Sequence, residues 1–415
     1  MNEFNQVMGY EPIKEELYRI IDCLNNIDKY NKLGAKSPKG LLLYGDPGLG
    51  KTLIANCFIN SINRKKYVIR KDKPNGEFVK YLTNEIKDAI QNEPSIVLLD
   101  DLDKYSNNDD KHKNSDEFIA LQSMIDDSKN KEIFFIATAN DLSSIPGSLL
   151  RKGRFDYEIG FSKPNTSDSK KIISYYLKNK INSNDVDIDE LANILAGSSC
   201  AELEEFVNEA GIYAGYHNHK EVTMDDYIDA ALRTIFDSPK ENIDRNPYQL
   251  KIAAYHEAGH TIISELLSPK SVNLVCISNY FNGNGGVTSV NKDENIDWDK
   301  DIMLNNAKVC LAGKAAIELK FNKLDVGSEQ DIKTARDIIS ELEDYCCNHD
   351  FIKNYDGTPL DRINIIKNEE LRNCYLEVKQ LLFENMDKLD AIANLLIEKK
   401  VIRQKDVNNI LRGQA

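Results

Sequence analysis

Two short motifs in this sequence contain residue types and spacings that could do chemistry. One is the pentapeptide His256-Glu257-Ala258-Gly259-His260, and the other is the octapeptide Gly-Asp-Pro-Gly-Leu-Gly-Lys-Thr from Gly45 to Thr52. Residues four apart lie on one face of a helix, so both imidazoles can bind one metal ion while Glu257 activates a water molecule. The octapeptide satisfies the pattern of a phosphate-binding loop. The sequence therefore predicts a metal-dependent hydrolase site and a nucleotide site.

The flanks of the octapeptide support the nucleotide site. An apolar strand, Lys39–Gly45, precedes it and a helix-compatible segment, Leu53–Ile59, follows it. The loop amides would face the phosphates, Lys51 would reach the β and γ oxygens, and Thr52 would bind Mg²⁺. All eight positions are predicted to bind the nucleotide: Gly45, Asp46, Pro47, Gly48, Leu49, Gly50, Lys51 and Thr52.

Polar residues follow two later apolar strands. Ser95–Asp101 ends in two carboxylates, of which Asp100 is predicted to hold Mg²⁺ and Asp101 to position the attacking water. Asn140 ends the next strand and is predicted to reach the γ-phosphate or that water. Arg151 and Arg154 follow the sheet and could stabilise transition-state charge in a neighbouring subunit, although surface arginines are usually only solvated.

The histidine motif predicts zinc-assisted hydrolysis. Zinc lowers the pKa of its bound water to ~7, and Glu257 would act as general base. By chance alone, a composition with six histidines would give on the order of one such motif per hundred chains. Spacing does not choose the third ligand among the downstream acids and His349. Two imidazoles and a carboxylate suit zinc but also suit neighbouring divalent ions.

The elements around these motifs predict a multidomain α/β plus α protein. Up to Phe161, short apolar strands alternate with amphipathic stretches, which predicts a parallel sheet covered by helices. Helical spacing after Pro164 predicts a small helical lid, and the polar stretch Asp237–Asn246 predicts a linker before a mostly helical region. A hairpin-like interruption is predicted at Leu274–Ile277 and Gly285–Val290. The predicted domains are 1–162, 163–238 and 239–415.

Composition limits the class of substrate. The chain has 415 residues and a net charge of −14, which argues against general binding of nucleic acid or anionic lipid. A protein or small-molecule substrate is therefore expected. The eight cysteines are scattered without a CxxC pair, and no leader is evident, so a reduced, cytoplasmic location is expected. No window approaches the ~20 apolar residues of a membrane-spanning helix.

Nearly the whole chain resembles the FtsH family of ATP-dependent zinc metalloproteases, which are AAA+ proteins. The resemblance implies an AAA+ P-loop α/β domain with a helical lid, followed by a mostly α-helical zinc metallopeptidase domain. It also implies ATP, Mg²⁺ and Zn²⁺ as cofactors, protein substrates and a homo-hexameric ring. The matching segments are Val7–Gly9, Lys32–Gly40, Leu149–Asp156, Val207–Ala210, Ala253–His260, Leu311–Ala316 and Gly327–Asp331.

The resemblance also implies roles for individual residues. Asp331 would be the third zinc ligand, and Asn140 would be the sensor asparagine. Arg151 and Arg154 would be arginine fingers acting on a neighbouring subunit. An ungapped match before Ser95 places Phe78-Val79 at the pore-loop pair that grips substrate, although Phe78 could instead be an ordinary half-buried aromatic residue.

Departures from the family pattern keep other functions open. Asp101 stands where the family has glutamate, one methylene longer, so ATP turnover is expected to be slow. The family's N-terminal membrane helices are missing from this sequence, so a soluble paralogue or a truncated form is expected.

The leading hypothesis is an ATP-dependent zinc metalloendopeptidase that threads unfolded protein through a ring. The alternatives are an AAA+ remodelling protein and an ATP-independent zinc peptidase with a weakened ATPase.

Overall fold

The computed structural model describes residues 3–105, 115–237, 246–278, 286–290, 299–323, 327–346 and 360–413. The chain forms two compact units: Met1–Ile188 with Gly197–Thr223, and Asp189–Ala196 with Met224–Ala415. The boundaries at 162 and 238 remain predictions. The predicted linker lies almost entirely outside the described residues, as do Gly285 and His349.

Fifteen helices and eight strands make up the regular structure of the described residues, apart from short 3₁₀ turns. None of these helices is both long enough and apolar enough to cross a membrane. In chain order they are α1 Glu11–Asn25, α2 Ile27–Asn31, β1 Gly40–Gly45, α3 Lys51–Asn60, β2 Lys65–Arg70, α4 Asn75–Gln91, β3 Ser95–Asp100, α5 Asp116–Asp127, β4 Ile133–Ala139, β5 Tyr157–Phe161, α6 Thr166–Leu177, α7 Ile188–Ile194, α8 Cys200–Tyr216, α9 Met224–Phe236, α10 Pro247–Leu267, β6 Val272–Cys276, β7 Val287–Val290, α11 Lys300–Phe321, α12 Glu329–Cys346, α13 Leu360–Glu384, α14 Met386–Lys399, β8 Val401–Arg403 and α15 Gln404–Arg412.

The first unit is built on a five-stranded parallel sheet in the order β2-β3-β4-β1-β5. Alternate strand residues enter separate apolar clusters, as Leu41 and Leu43 do on one side and Leu42 on the other. The predicted parallel sheet is confirmed, and β1 and β3 each differ from the predicted strand by one residue at one end. Because the strands are parallel, the carboxyl ends of β1, β3 and β4 meet at one edge of the sheet. The residues that follow these strands therefore lie close together.

The second unit is mostly helical and is organised around α10, which packs against α11 and α14. Asn246 caps α10, because its side chain accepts a 2.9 Å hydrogen bond from the backbone N–H of Tyr248. Strands β6 and β7 pair in antiparallel fashion, which confirms the predicted β interruption. The sequence did not predict β8, which pairs with the other edge of β6. Strand β7 is consequently at the edge of this three-stranded sheet.

Candidate active sites: a phosphate-binding loop and a cluster of metal ligands

Lys51 starts α3 directly after the loop, and its ammonium group is enclosed by polar acceptors. Its Nζ donates to the carbonyl oxygens of Gly45 and Asp46, each at 2.7 Å, and to Oδ1 of Asn140 at 2.9 Å. Burial lowers the pKa of Lys51, against the opposing effect of nearby Asp103. The structure thus brings the predicted lysine and asparagine together at the carboxyl ends of β1 and β4.

The remaining loop residues connect β1 to α3. Asp46, Pro47 and Gly48 are exposed, whereas Leu49 is buried in the core. Beside Leu49 and Gly50 is a largely apolar pocket that could receive a flat aromatic base. The pocket is also lined by Val7, Met8, Tyr10, Ile172, Tyr175 and Tyr176.

Asp100 is buried at the end of β3 and is surrounded by donors. Its Oδ1 accepts hydrogen bonds from the hydroxyls of Thr52 at 3.0 Å and Thr138 at 2.7 Å. Its Oδ2 accepts a 2.9 Å bond from Nε of Arg70. A hydroxyl and a carboxylate are oxygen ligands of the kind that Mg²⁺ uses in nucleotide sites. The predicted pair Thr52 and Asp100 is therefore adjacent.

Asp101, the predicted water-orienting acid, has an unusual backbone conformation. Its φ is +54°, in the left-handed region that non-glycine residues seldom adopt. The backbone N–H of Asp101 donates a 2.9 Å hydrogen bond to the hydroxyl of Thr138. Oδ2 of Asp101 forms a 2.6 Å ion pair with Nζ of Lys104. Thr138 thus fixes both Asp100 and the turn that follows it. The carboxylate of Asp101 itself is paired with an exposed lysine.

The two predicted arginine fingers have different surroundings. Nε and Nη2 of Arg154 bind the carboxylate of Asp126 at 3.1 and 2.8 Å, and Nη1 donates to the carbonyl of Ser148. Hydrogen bonding by the Arg154 side chain is the main reason why the pKa of Asp126 is lowered. Arg151 is exposed, and its side chain has no hydrogen-bond or ion-pair partner among the described residues. Arg154 is therefore engaged within its own chain, whereas Arg151 is free to reach another molecule.

The predicted substrate contact of Phe78 is wrong. Phe78 lies in the first turn of α4 and is 0 % exposed, with its ring packed edge-on against Tyr105 at a centroid distance of 4.9 Å. Leu82 and Ile86 follow it at helical spacing and are also fully buried, so Phe78 belongs to the apolar stripe that packs on the sheet. Val79 is half-buried and is the part of the predicted pair that remains accessible.

In the second unit, three predicted ligands converge. Nε2 of His256 lies 3.0 Å from Nε2 of His260, and Oδ2 of Asp331 lies 3.1 and 3.4 Å from these two nitrogens. Ligand atoms bound at about 2.1 Å around a tetrahedral zinc ion lie roughly 3.4 Å apart. The donor set and its spacing therefore fit zinc.

Neighbouring groups orient these ligands. Nδ1 of His260 lies 2.7 Å from the carbonyl oxygen of Val309, which fixes the proton on Nδ1 and leaves the Nε2 lone pair for a metal. Burial alone would raise the pKa of Asp331, but its contacts with His256 and His260 outweigh burial and hold that pKa well below the usual range. An aspartate carboxyl is ionised at neutral pH, as a metal ligand must be.

Glycines allow α10 and α11 to approach closely beside this cluster. A Cβ atom at Gly259 would lie 2.6 Å from the carbonyl oxygen of Ala312, so the helix backbones touch there. A Cβ at Gly313 would lie 2.5 Å from Cε1 of His256 and 2.6 Å from Nε2 of His260. The space beside both imidazoles therefore exists only because residue 313 has no side chain.

We expect Gly313→Ala to lower zinc affinity by at least ~10-fold, because the added methyl group would displace both ligand rings. The measurement is zinc content at equilibrium with a competing chelator. Gly215→Ala is the matched control, since a Cβ at that helical position would contact nothing within 4 Å. Unchanged zinc affinity in Gly313→Ala would contradict the argument from close approach.

Glu257 lies next to the ligand cluster in a cavity of about 840 Å³. It is 6 % exposed, and its carboxylate faces the same cavity as His256, His260 and Asp331. Thr288 and Val290 of the edge strand β7 also line this cavity. A buried carboxylate, three metal ligands and a strand that lies at the edge of the described sheet are thereby gathered in one cleft.

Comparisons with known proteins agree with both sites. The profile of the "ATPase family associated with various cellular activities (AAA)" matches residues 41–163, and the profile of "Peptidase family M41" matches residues 245–345. The chain contains an AAA ATPase domain followed by an M41 peptidase domain. These two domains imply ATP with Mg²⁺, and Zn²⁺, as cofactors. Protein substrates and oligomerisation are typical of the same combination.

Similar proteins extend along almost the whole chain. An "ATP-dependent zinc metalloprotease FtsH 2" of Thermoanaerobacter sp. (strain X514) is 29 % identical, over 98 % of this chain and 82 % of its own length. An "ATP-dependent zinc metalloprotease FtsH" of Helicobacter felis is 29 % identical, over 98 % of this chain and 69 % of its own. A third, "ATP-dependent zinc metalloprotease FtsH 2" of Phytoplasma mali, is 28 % identical over 98 % and 62 %.

Sequence reasoning missed several residues that shape these sites. Thr138 carries no local signal, because its role depends on the neighbouring strand. Val309 contributes only a carbonyl group, which any residue could supply. Gly313 could have been found, since a glycine inside an alanine-rich helical segment usually marks a close approach.

Proposed function

We propose that this protein is an ATP-dependent zinc metalloendopeptidase that unfolds protein substrates and threads them to the cleft around Glu257. The observation that carries this proposal is the convergence of His256, His260 and Asp331 beside that buried carboxylate, in a chain that also has a complete phosphate-binding loop. ATP hydrolysis at this loop would supply the energy for unfolding, and the peptide bond would be hydrolysed in the cleft.

In the cleft, His256, His260 and Asp331 would hold the metal. Bound zinc would lower the pKa of a water molecule to ~7 and polarise the scissile carbonyl group. Glu257 takes the proton from the attacking water and delivers it to the leaving amine. The outer edge of β7, which no other described strand covers, would offer backbone hydrogen bonds to an extended substrate, and the register of that pairing would place one peptide bond beside Glu257.

In the ATPase domain, the ends of the parallel strands hold the nucleotide. Lys51 would neutralise the β and γ oxygens, while Thr52 and Asp100 would hold Mg²⁺. Asp101 and Asn140 orient the attacking water. The apolar pocket beside Leu49 would receive the adenine base. The loop itself contributes its backbone amides, from Gly45 through Asp46, Pro47, Gly48 and Leu49 to Gly50.

Arginine fingers that act on a neighbour require a ring, and we propose a homo-hexamer. Arg151 is exposed and unpartnered among the described residues, which suits a contact with the next subunit, and Arg154 is the second candidate. Val79, which lies near the start of α4, would contribute to gripping the substrate. Six described cysteines are free, which favours the reducing cytoplasm. Light scattering with ATP would measure the subunit number, and a monomer would exclude the ring.

The decisive experiment measures degradation of an unfolded protein in zinc, with and without ATP, beside Glu257→Gln. Cleavage that requires both ATP and Glu257 is the expected result. Cleavage that requires Glu257 but not ATP would instead identify a peptidase with an idle motor. If nothing is cleaved while ATP is hydrolysed, the protein is a remodelling ATPase.

We expect Asp101→Glu to raise the rate of ATP hydrolysis by roughly 10-fold, because the added methylene brings the carboxylate closer to the attacking water. Steady-state phosphate release measures this rate. Asp116→Glu makes the same chemical change at an exposed position in the first turn of α5 and should leave the rate unchanged. If Asp101→Glu also leaves the rate unchanged, aspartate suffices at this site.

A further inference from the structure

One side-chain contact in the peptidase cleft has no role in the mechanism above. The hydroxyl of Thr288 on β7 donates a 2.7 Å hydrogen bond to Oε2 of Glu257. The same hydroxyl lies 3.4 Å from the backbone carbonyl of Glu257, but that carbonyl already accepts a 2.8 Å bond from Thr261. The single proton of Thr288 is therefore directed to the carboxylate.

A second residue of the same segment limits where the carboxylate can be. A Cβ at Gly286 would lie 2.6 Å from Oε1 and 2.7 Å from Cγ of Glu257. The backbone of residue 286 thus forms a wall against one carboxylate oxygen, while Thr288 holds the other. Glu257 is buried, so few rotamers are open to it once both contacts are made.

We propose that Thr288 is a positioning residue that holds the carboxylate of Glu257 in the orientation needed for proton transfer. This inference rests on the proposed peptidase function and adds to it. General-base catalysis requires a defined distance and angle to the attacking water, and a displacement of 1 Å can cost 10²-fold in rate.

The position of Thr288 on an edge strand gives this contact a further consequence. Its backbone pairs with Val275 of β6 on one side, and the other side of β7 is open in the described sheet. A substrate that adds to this edge would order the strand that carries Thr288. Binding of an extended substrate would then also hold the carboxylate of Glu257 in place. The general base would therefore be best oriented when a substrate occupies the cleft.

The test compares Thr288→Val, which removes the hydroxyl at nearly constant volume, with Thr288→Ser, which keeps it. We expect kcat for peptide cleavage to fall roughly 10- to 100-fold in Thr288→Val, with KM within about twofold of wild type. Thr288→Ser should recover most of the loss. Ser289→Ala removes a hydroxyl from the adjacent residue, whose side chain points to the opposite face of the strand, and is the control.

A second readout does not depend on turnover. Binding of a peptidyl hydroxamate to the zinc-loaded protein should weaken in Thr288→Val, and the same substitution should have no added effect in a Glu257→Gln background. Zinc content and the unfolding midpoint of the metal-free protein should match those of Thr288→Ser.

Three outcomes would overturn the inference: wild-type kcat in Thr288→Val, an equal loss in Thr288→Ser, or an undiminished effect of Thr288→Val in the Glu257→Gln background. The last would mean that Thr288 acts on the fold and not through Glu257. If the wild-type protein cleaves no peptide, the proposed function is wrong. The role of Thr288 is then tested by hydroxamate binding alone.

Discussion

Replacing Arg151 with alanine is expected to lower ATP turnover by about 10³-fold or more, while the variant still binds ATP. The guanidinium group of Arg151 is exposed and unpartnered in the described part of its own chain, which leaves it available to a neighbouring subunit. In the proposed ring, Lys51 and Asp100 would belong to a different protomer from the arginine that acts on them, so ATP binding should persist. Phosphate release and fluorescent nucleotide binding measure the two effects separately.

Mixing subunits tests whether Arg151 acts on a neighbour. Lys51→Ala subunits lack a working loop but keep Arg151, whereas Arg151→Ala subunits keep the loop and lack the arginine. Each variant alone should be almost inactive, and a mixture should regain activity where an intact arginine faces an intact loop. If the mixture stays inactive while hetero-oligomers form, Arg151 does not act in trans.

Arg154→Ala is the informative comparison in the same experiment. Because Arg154 holds Asp126 and the carbonyl of Ser148 within its own chain, its loss should lower the thermal unfolding midpoint. We expect its loss of ATPase activity not to be rescued by mixing with Lys51→Ala. Rescue would mean that Arg154 leaves Asp126 in the assembled ring and serves as a second finger.

The sequence predicted those features whose geometry is local. Positions four apart on a helix must share a face, so His256 and His260 could be paired from spacing alone. Parallel strands bring their carboxyl ends together, so Lys51, Asp100 and Asn140 could be grouped from the order of the strands. In both cases the short-range pattern determines the arrangement of the side chains.

Features that depend on packing between distant elements could not be predicted in this way. Asp331 reaches the histidines because α11 packs against both α10 and α12, and no spacing rule encodes that arrangement. Resemblance to a family supplied Asp331 instead. The contact of Thr288 with Glu257 depends likewise on β7 lying against α10, which the sequence does not specify.

For Phe78, helical periodicity would have given a different prediction from the family resemblance. Similarity to a family placed it in a substrate-gripping loop, whereas the apolar residues at 78, 82 and 86 follow the period of a buried helical stripe. The buried ring shows that the local pattern was the better guide. Helical periodicity indicates which face of a helix is buried. A single aromatic residue that matches a family position is weaker evidence than this pattern.

Glu257→Gln is expected to lower peptide cleavage by about 10²- to 10⁴-fold. The amide keeps the shape of the side chain but has no basic oxygen to take a proton from the attacking water. Zinc content should be unchanged, because His256, His260 and Asp331 are intact. The ATPase rate should also persist, since the nucleotide residues belong to the other compact unit.

The matched control is Glu265→Gln on the same helix. Glu265 is also buried, but its carboxylate accepts backbone hydrogen bonds from Lys270 and Val272 at 2.8 and 2.9 Å. Its amide variant should therefore lose stability more than activity, because it weakens a turn and leaves the general base in place. Cleavage by Glu257→Gln above a tenth of the wild-type rate would show that another group takes the proton. Such a result would remove Glu257 from the mechanism and leave the metal ligands as the catalytic part of the cleft.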